Sequence, residues 1–218
     1  ILVANPGRSS RKFALYDDAL NELARLHVEM SDDHLVGTLH AAGKSREIPL
    51  EFQELADAGA HIGEIFHREH LIEDDQQITD IGLRIVAPGE YFMHNRVIND
   101  EVIGKLRETE ELAPLHISAT LHELELLRQT YPDATVVGVS DSAFHRTKPN
   151  YAWNYAIDIH DADRFDIKRF GYHGISVQSA ITSLWNAGKL PPKVVVCHLG
   201  SGSSVSAVFH GRSIDTTM

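Results

Sequence analysis

Apolar positions cluster in short runs separated by Gly, Pro and Asn. Ile1 to Ala4 is apolar and ends in Asn5-Pro6-Gly7, a strong turn signal. Lys12 to Tyr16 alternates polar and apolar and reads as a strand returning from that turn. The predicted hairpin turn carries Asn5, Gly7, Arg8, Ser9 and Ser10. Asp18 to Met30 has helical composition but lies where a third strand could pair, so two readings stand side by side. Ala41 to Lys44 reads as a turn. From Ile48 to Ile72, Phe52, Leu55, Ala56, Ile62, Ile65 and Phe66 recur at near-helical spacing and predict a helix.

Further on, Ile81 to Val86 is a strand candidate broken by Ala87-Pro88-Gly89. Asn99 is placed to cap a helix running to about Leu112. Ser118 to Tyr131 predicts another helix, with Leu121, Leu124 and Leu127 on its buried stripe. Ala134 to Val139 is a buried strand running into Ser140-Asp141-Ser142, and Gly174 opens a helix through Trp185. Lys193 to Leu199 is the most hydrophobic strand. It enters Gly200-Ser201-Gly202-Ser203-Ser204 and returns as Val205 to Phe209, followed by a turn at His210-Gly211-Arg212. Alternating strands and helices define an α/β class. The strand, Gly/Ser turn, strand pattern at residues 1–16 recurs at 193–209, which suggests a duplicated architecture with both turns exposed.

Composition adds exclusions. With 43% hydrophobic and 23% charged residues in 218, the chain is an ordinary globular sequence. No apolar run approaches the ~20 residues of a membrane span, and nothing reads as a secretory signal. The net charge of −11 argues against a nucleic-acid binder, although a few local Arg and Lys residues can still hold a phosphate. The single cysteine, Cys197, excludes an internal disulfide framework, suits a cytoplasmic setting and reads as packing on its strand. The 14 histidines invite metal templates, but His122-Glu123 is followed by Leu126 where a zinc-protease motif needs His. His67 and His70, with His61 six residues before His67, could share a helix face, but no Cys or third fixed ligand comes with the pair, and it reads as a solvated helix face. Tyr151, Trp153 and Tyr155 read as core at a domain joint, and His116 and His145 as structural.

The Gly/Ser turns carry the candidate chemistry. Such turns expose backbone N–H groups and hydroxyls with little bulk, which can cradle phosphate oxygens. A strand end is where α/β sites gather, which singles out Asp141. Arg84 inside an apolar strand is costly to bury alone, so an anion partner fits it.

These residues fall within six collinear stretches: Asn5-Pro6-Gly7-Arg8-Ser9-Ser10-Arg11-Lys12, Leu83-Arg84-Ile85-Val86, Leu112-Ala113-Pro114-Leu115-His116, Asp141-Ser142-Ala143-Phe144-His145, Gly171-Tyr172-His173-Gly174, and His198 to Ser204. The last leads on to Asp215-Thr216-Thr217-Met218. In this the chain resembles the N-terminal half of the acetate kinases, short-chain acyl kinases of the sugar-kinase/actin/Hsp70 superfamily. The resemblance implies a ribonuclease H-like, actin-like ATPase fold. Residues 1–192 would form the acyl-substrate-side domain and connecting helix, and 193–218 the first hairpin of a nucleotide-binding domain. It implies reversible phosphoryl transfer between ATP and acetate or another short-chain carboxylate, with Mg²⁺, in a homodimer when full length. Asp141, Arg84 and His173 would be catalytic. Val86, Leu115 and Tyr172 would wall the acyl pocket. Asn5, Ser10, Lys12, His198, Gly200, Ser201 and Gly202 would hold phosphates, Asn5 also lying by the metal. The catalytic three are expected to converge on one cleft.

Departures from the family pattern keep a second reading in view. Arg8 replaces a serine and Arg11 an apolar residue; Ala87-Pro88-Gly89 replaces His-Gly-Gly, Ile117 and Ser118 replace Asn and Pro, Val177 replaces His and Ser201 replaces Asn. A catalytically impaired relative acting as a binding or regulatory domain is the alternative, and a hydroxyl kinase using Asp141 as a true base is a third reading. The family has about as much chain again beyond the last motif, bringing the adenosine pocket. The 218 residues alone are therefore expected not to turn over ATP with acetate, and to associate through the uncovered hairpin.

Overall fold

A computed structural model describes residues 1–7, 9–73, 76–200 and 202–218, with the backbone alone at Leu115. The chain forms two compact units, Ile1–Arg84 with Arg96–Gly138, and Ile85–Asn95 with Val139–Met218.

The first unit is built on strands β1 (Leu2–Pro6), β2 (Ser10–Tyr16), β3 (Glu22–Ser31), β4 (His34–Ala41) and β5 (Lys44–Ile48). Helix α1 (Ala58–Arg68), strands β6 (Asp80–Ile85) and β7 (Arg96–Val97), helices α2 (Asp100–Glu108) and α3 (Pro114–Thr130), and β8 (Thr135–Ser140) follow. One sheet has the order β5-β4-β3-β2-β1-β6-β8-β7. Neighbours from β1 to β5 run antiparallel, and β1 pairs β6 in parallel. Alternation sets the faces: Leu2 and Ala4, Phe13 and Leu15, and Ala24, Leu26 and Val28 all point inward. Ile62, Phe66, Leu124 and Leu127 of α1 and α3 complete that core.

The β1–β2 hairpin stands where the apolar pattern predicts it, and several other elements revise the reading. Asp18 to Met30 contains β3, because pairing with β2 along its length outweighs helical composition. The helix over 48–72 shortens to α1, preceded by a single 3₁₀ turn at Leu55–Asp57. Helix α2 stops at Glu108 rather than Leu112, and α3 begins at Pro114 rather than Ser118, using Pro at its first position. The Asn99 cap is present: its Oδ1 accepts from Val102 N–H at 3.0 Å. Asn99→Ala should therefore cost about 1 kcal/mol in a urea titration, the usual worth of an N-cap.

The second unit contains the short helices α4 (Asn150–Trp153) and α5 (Ile159–Arg164), helix α6 (Gly174–Asn186), and a sheet of β9 (Lys193–Leu199), β10 (Ser203–Phe209) and β11 (Arg212–Thr216) in the order β11-β10-β9. The β9–β10 hairpin matches the predicted second echo of strand, Gly/Ser turn and strand. Val177 and Ile181 of α6 pack on Val208, with Val194 and Val196 beside them. The opposite face is open: Val195 and Leu199 are 66% and 78% exposed, and Cys197 is exposed rather than packed. Tyr151 and Tyr155 are also exposed, so only Trp153 of the aromatic cluster packs, edge-on to Phe170. Apolar character alone does not say which face of a strand is covered.

Candidate active site

In the first unit three of the candidate residues share the open face at one end of the sheet. Asn5 lies opposite Lys12 in the β1–β2 register, and Arg84 follows the β1–β6 pairs on the same side. Opposed side chains at such positions are near neighbours. Arg84 Nη1 donates to Asn5 Oδ1 at 3.2 Å, so the strand cation points to the turn. His27, opposite Lys12 on β3, joins this face without any motif signal in the sequence. Ser10 opens β2 at the turn, while Arg8 lies outside the described residues.

The second unit assembles Asp141, His173, Tyr172, His198 and the second Gly/Ser turn. Asp141 follows the end of β8 and is 2% exposed. Its Oδ2 accepts the backbone N–H of His173 at 2.9 Å, and its carbonyl accepts Gly174 N–H at 2.8 Å. Gly174 is required there, since a Cβ would collide with that carbonyl. His173 has φ 60°, a left-handed conformation costly for a non-glycine residue, at the N-cap of α6. Asp141 thus secures the strained residue through the peptide N–H on either side of it. Val86 is set beside Asp141 because Ile85 C=O accepts Asp141 N–H at 2.9 Å. The Tyr172 hydroxyl is pushed up first by burial and then by the Asp141 charge.

The His173 ring stacks on His198 at 4.1 Å between centroids, 20° from parallel. Its Nδ1 pairs with Ser204 Oγ at 3.0 Å, and His198 Nδ1 pairs with Ser176 Oγ at 3.0 Å. A Cβ on Gly202 would lie 3.3 Å from His173 Nε2, so the turn closes directly over the ring. Gly200 is exposed at the turn. Ser201 and the Leu115 side chain lie outside the described residues.

Two further residues support this arrangement. His145 is fully buried: Nε2–H donates to Tyr172 C=O at 3.0 Å, so Nδ1 accepts from Ser213 Oγ at 2.8 Å. Burial pushes it down to about 4, and it is neutral and structural, as the sequence suggests. Arg169 pairs with Asp215 at 2.7 Å and also donates to Ala152 C=O, which ties the Asp-Thr-Thr-Met stretch to the segment preceding Tyr172. Among the described residues no group of three or more His, Cys, Asp or Glu could hold a metal ion. The described residues therefore do not by themselves form a cage of three or more such ligands.

In the second unit a buried carboxylate thus holds a strained histidine against a Gly/Ser turn. The Acetokinase family model matches residues 1–218. The chain belongs to that family. It is 35% identical over 233 residues to an acetate kinase of Lachnoclostridium phytofermentans and 37% identical over 227 residues to one of Caldanaerobacter subterraneus subsp. tengcongensis. Both alignments cover 100% of this chain but only 57% and 56% of those proteins, so the chain spans just over half their length. A propionate kinase structure from Francisella tularensis subsp. tularensis SCHU S4 superposes with TM-score 0.84 at 31% identity, covering 100% of this chain and 56% of its own. The Porphyromonas gingivalis acetate kinase gives 0.83 at 28%, with the same coverage. The fold is accordingly that of part of an actin-like ATPase.

Proposed function

We propose that the chain forms the acyl-substrate side of a phosphotransferase that moves a phosphoryl group reversibly between ATP and acetate or another short-chain carboxylate. The observation that carries this is the Asp141–His173–His198 arrangement against the second Gly/Ser turn, in a chain of the Acetokinase family. A short carboxylate is already ionised at neutral pH, so its attack on phosphorus needs no base. The site's task is positioning and charge neutralisation. In the second unit Asp141 fixes His173, whose ring faces the transferring group, and Val86 and Tyr172 line the acyl tail. In the first unit Arg84, Asn5, Ser10 and Lys12 present cation and polar groups to phosphoryl or carboxylate oxygens. His198 and the Gly200–Gly202 turn take nucleotide phosphates. One methylene changes binding by only ~1–3 kcal/mol, so acetate and propionate overlap as substrates. Magnesium enters with the nucleotide, because this ion is usually held through substrate phosphates. Residues 193–218 open the nucleotide domain, and the complete protein is a homodimer.

The reading is tested by trapping acyl phosphate as its hydroxamate, using the product of the complete reading frame with ATP, Mg²⁺ and acetate, propionate or butyrate. Product with at least one acid is expected, and absence of product with all three would sink the proposal. The impaired, regulatory alternative is favoured by one observation: Val177, where the family has His, is fully buried against Ile181 and Val208 and contributes no polar group. It predicts nucleotide or carboxylate binding without turnover.

A further inference from the structure

Behind the first Gly/Ser turn the sheet buries a charge pair. Strand β2 points Arg11 inward with Phe13 and Leu15, and Arg11 is only 5% exposed. Its Nη1 donates to Gly7 C=O within the turn, and its Nε lies 3.2 Å from Oε2 of Glu123 on α3. Glu123 is 0% exposed. The N–H is not aligned for a hydrogen bond, so the attraction is Coulombic, and neither carboxylate oxygen has a hydrogen-bond partner among the described residues. Helix α1 makes room with Gly59, where a Cβ would collide with Oε1. The positions one turn either side on α3 are Ala119, Thr120, Leu126 and Leu127, and Arg11 is the charged group acting on the carboxyl.

A buried ion pair is a poor stabiliser compared with apolar packing, and removing one partner's charge strands the other. Placed under a turn, that property couples the turn to a proton. We propose that Arg11 is a positioning residue for the first Gly/Ser turn and that Glu123 is its latch: the ionised carboxylate holds the guanidinium beneath Gly7, and protonation releases the guanidinium and loosens the turn. Burial pushes the carboxyl up to about 7 against the opposing pull of Arg11, so the latch works near neutral pH. Its consequence for ligand rests on the reading that this turn holds phosphoryl oxygens. Closed at high pH, the turn presents a fixed set of donors.

The test follows the Gly7, Ser9 and Ser10 amides of the isotope-labelled chain by NMR from about pH 5.5 to about 8.5, with sulfate as a tetrahedral dianion that does not titrate in this range. The three amides should shift together with a midpoint near 7. Gly7 N–H, which donates to Asn5 C=O at 3.0 Å, should exchange more slowly when the latch is closed. Sulfate should bind about fivefold tighter at the upper end than at the lower, the effect of one hydrogen bond. Glu123→Gln should abolish all three pH trends, and Arg11→Met should hold the turn in its loosened state throughout. A titration of the turn that survives Glu123→Gln, or its absence in the unaltered chain, overturns the latch. If Glu123→Gln does not fold, the double variant Arg11→Met/Glu123→Leu, apolar on both sides, replaces it under the same criterion. Amides that follow Glu123 without sulfate binding at any pH would uphold the latch and remove the phosphate role from this turn.

Discussion

Asp141→Ala is expected to lower acyl-phosphate formation by the complete protein about a thousandfold, the upper range for losing one preorganised electrostatic group. Two contributions disappear together: a buried negative charge, and the oxygen that accepts His173 N–H at 2.9 Å. Without that bond the left-handed His173 loses one of the constraints opposing its strain, and its ring no longer has a fixed position against Gly202 and His198. Asp141→Asn separates the contributions, because its side-chain oxygen can still accept the same N–H. Asn should recover much of the substrate KM but little of kcat if the charge acts in the transition state. Initial rates of hydroxamate formation decide it. An Asn variant within about twofold of the unaltered enzyme in kcat would show that Asp141 acts only through His173.

The parts legible in the sequence were those whose signal is local. Both hairpins were marked by an apolar run against a Gly/Ser turn, and Asn99 by its place before a helix. Strand β5 was not legible because Lys-Ser-Arg-Glu-Ile has almost no apolar alternation; it is an edge strand whose charges face solvent. Strand β4 was obscured because its inward positions are Gly37 and Leu39, a weak pattern that only pairing with β3 organises. Strand β3 was ambiguous for the same reason: Ala24, Leu26 and Val28 alternate, but within residues that also favour helix. Cys197 misled because hydrophobicity identifies a strand without identifying its covered face. Of the candidate site residues, Asp141 and His173 are singled out by motif, whereas the bond between them spans 32 residues and only the fold reveals it. The Arg11–Glu123 pair was legible only in part. Arg11 stood out as a departure, but nothing near it in sequence named its partner.

Stability should depend on pH in two opposite ways that single substitutions unmask. His145 is neutral when folded, and burial lowers it from 6.5 to about 4. The unfolded chain takes up that proton first as pH falls, so stability present above 6.5 is lost progressively toward 4. Glu123 behaves inversely, because burial raises it from 4.5 to about 7. The unfolded chain ionises first as pH rises, so stability present below 4.5 is lost toward 7. Each contributes about 3 kcal/mol across its window, at ~1.4 kcal/mol per pH unit. The two trends oppose one another, and if the chain unfolds in one transition they nearly cancel. Glu123→Gln should then expose a stability that rises by about 3 kcal/mol between the acid limit and neutral pH, and His145→Gln one that falls by a similar amount. If the units unfold separately, the trends appear without mutation: the transition of the unit holding Glu123 moves down with pH and that of the unit holding His145 moves up. Urea titrations at closely spaced pH values measure both cases. Identical pH slopes for the unaltered chain and Glu123→Gln would mean that the carboxyl titrates at its ordinary value and that solvent reaches it despite its place between α1 and β2.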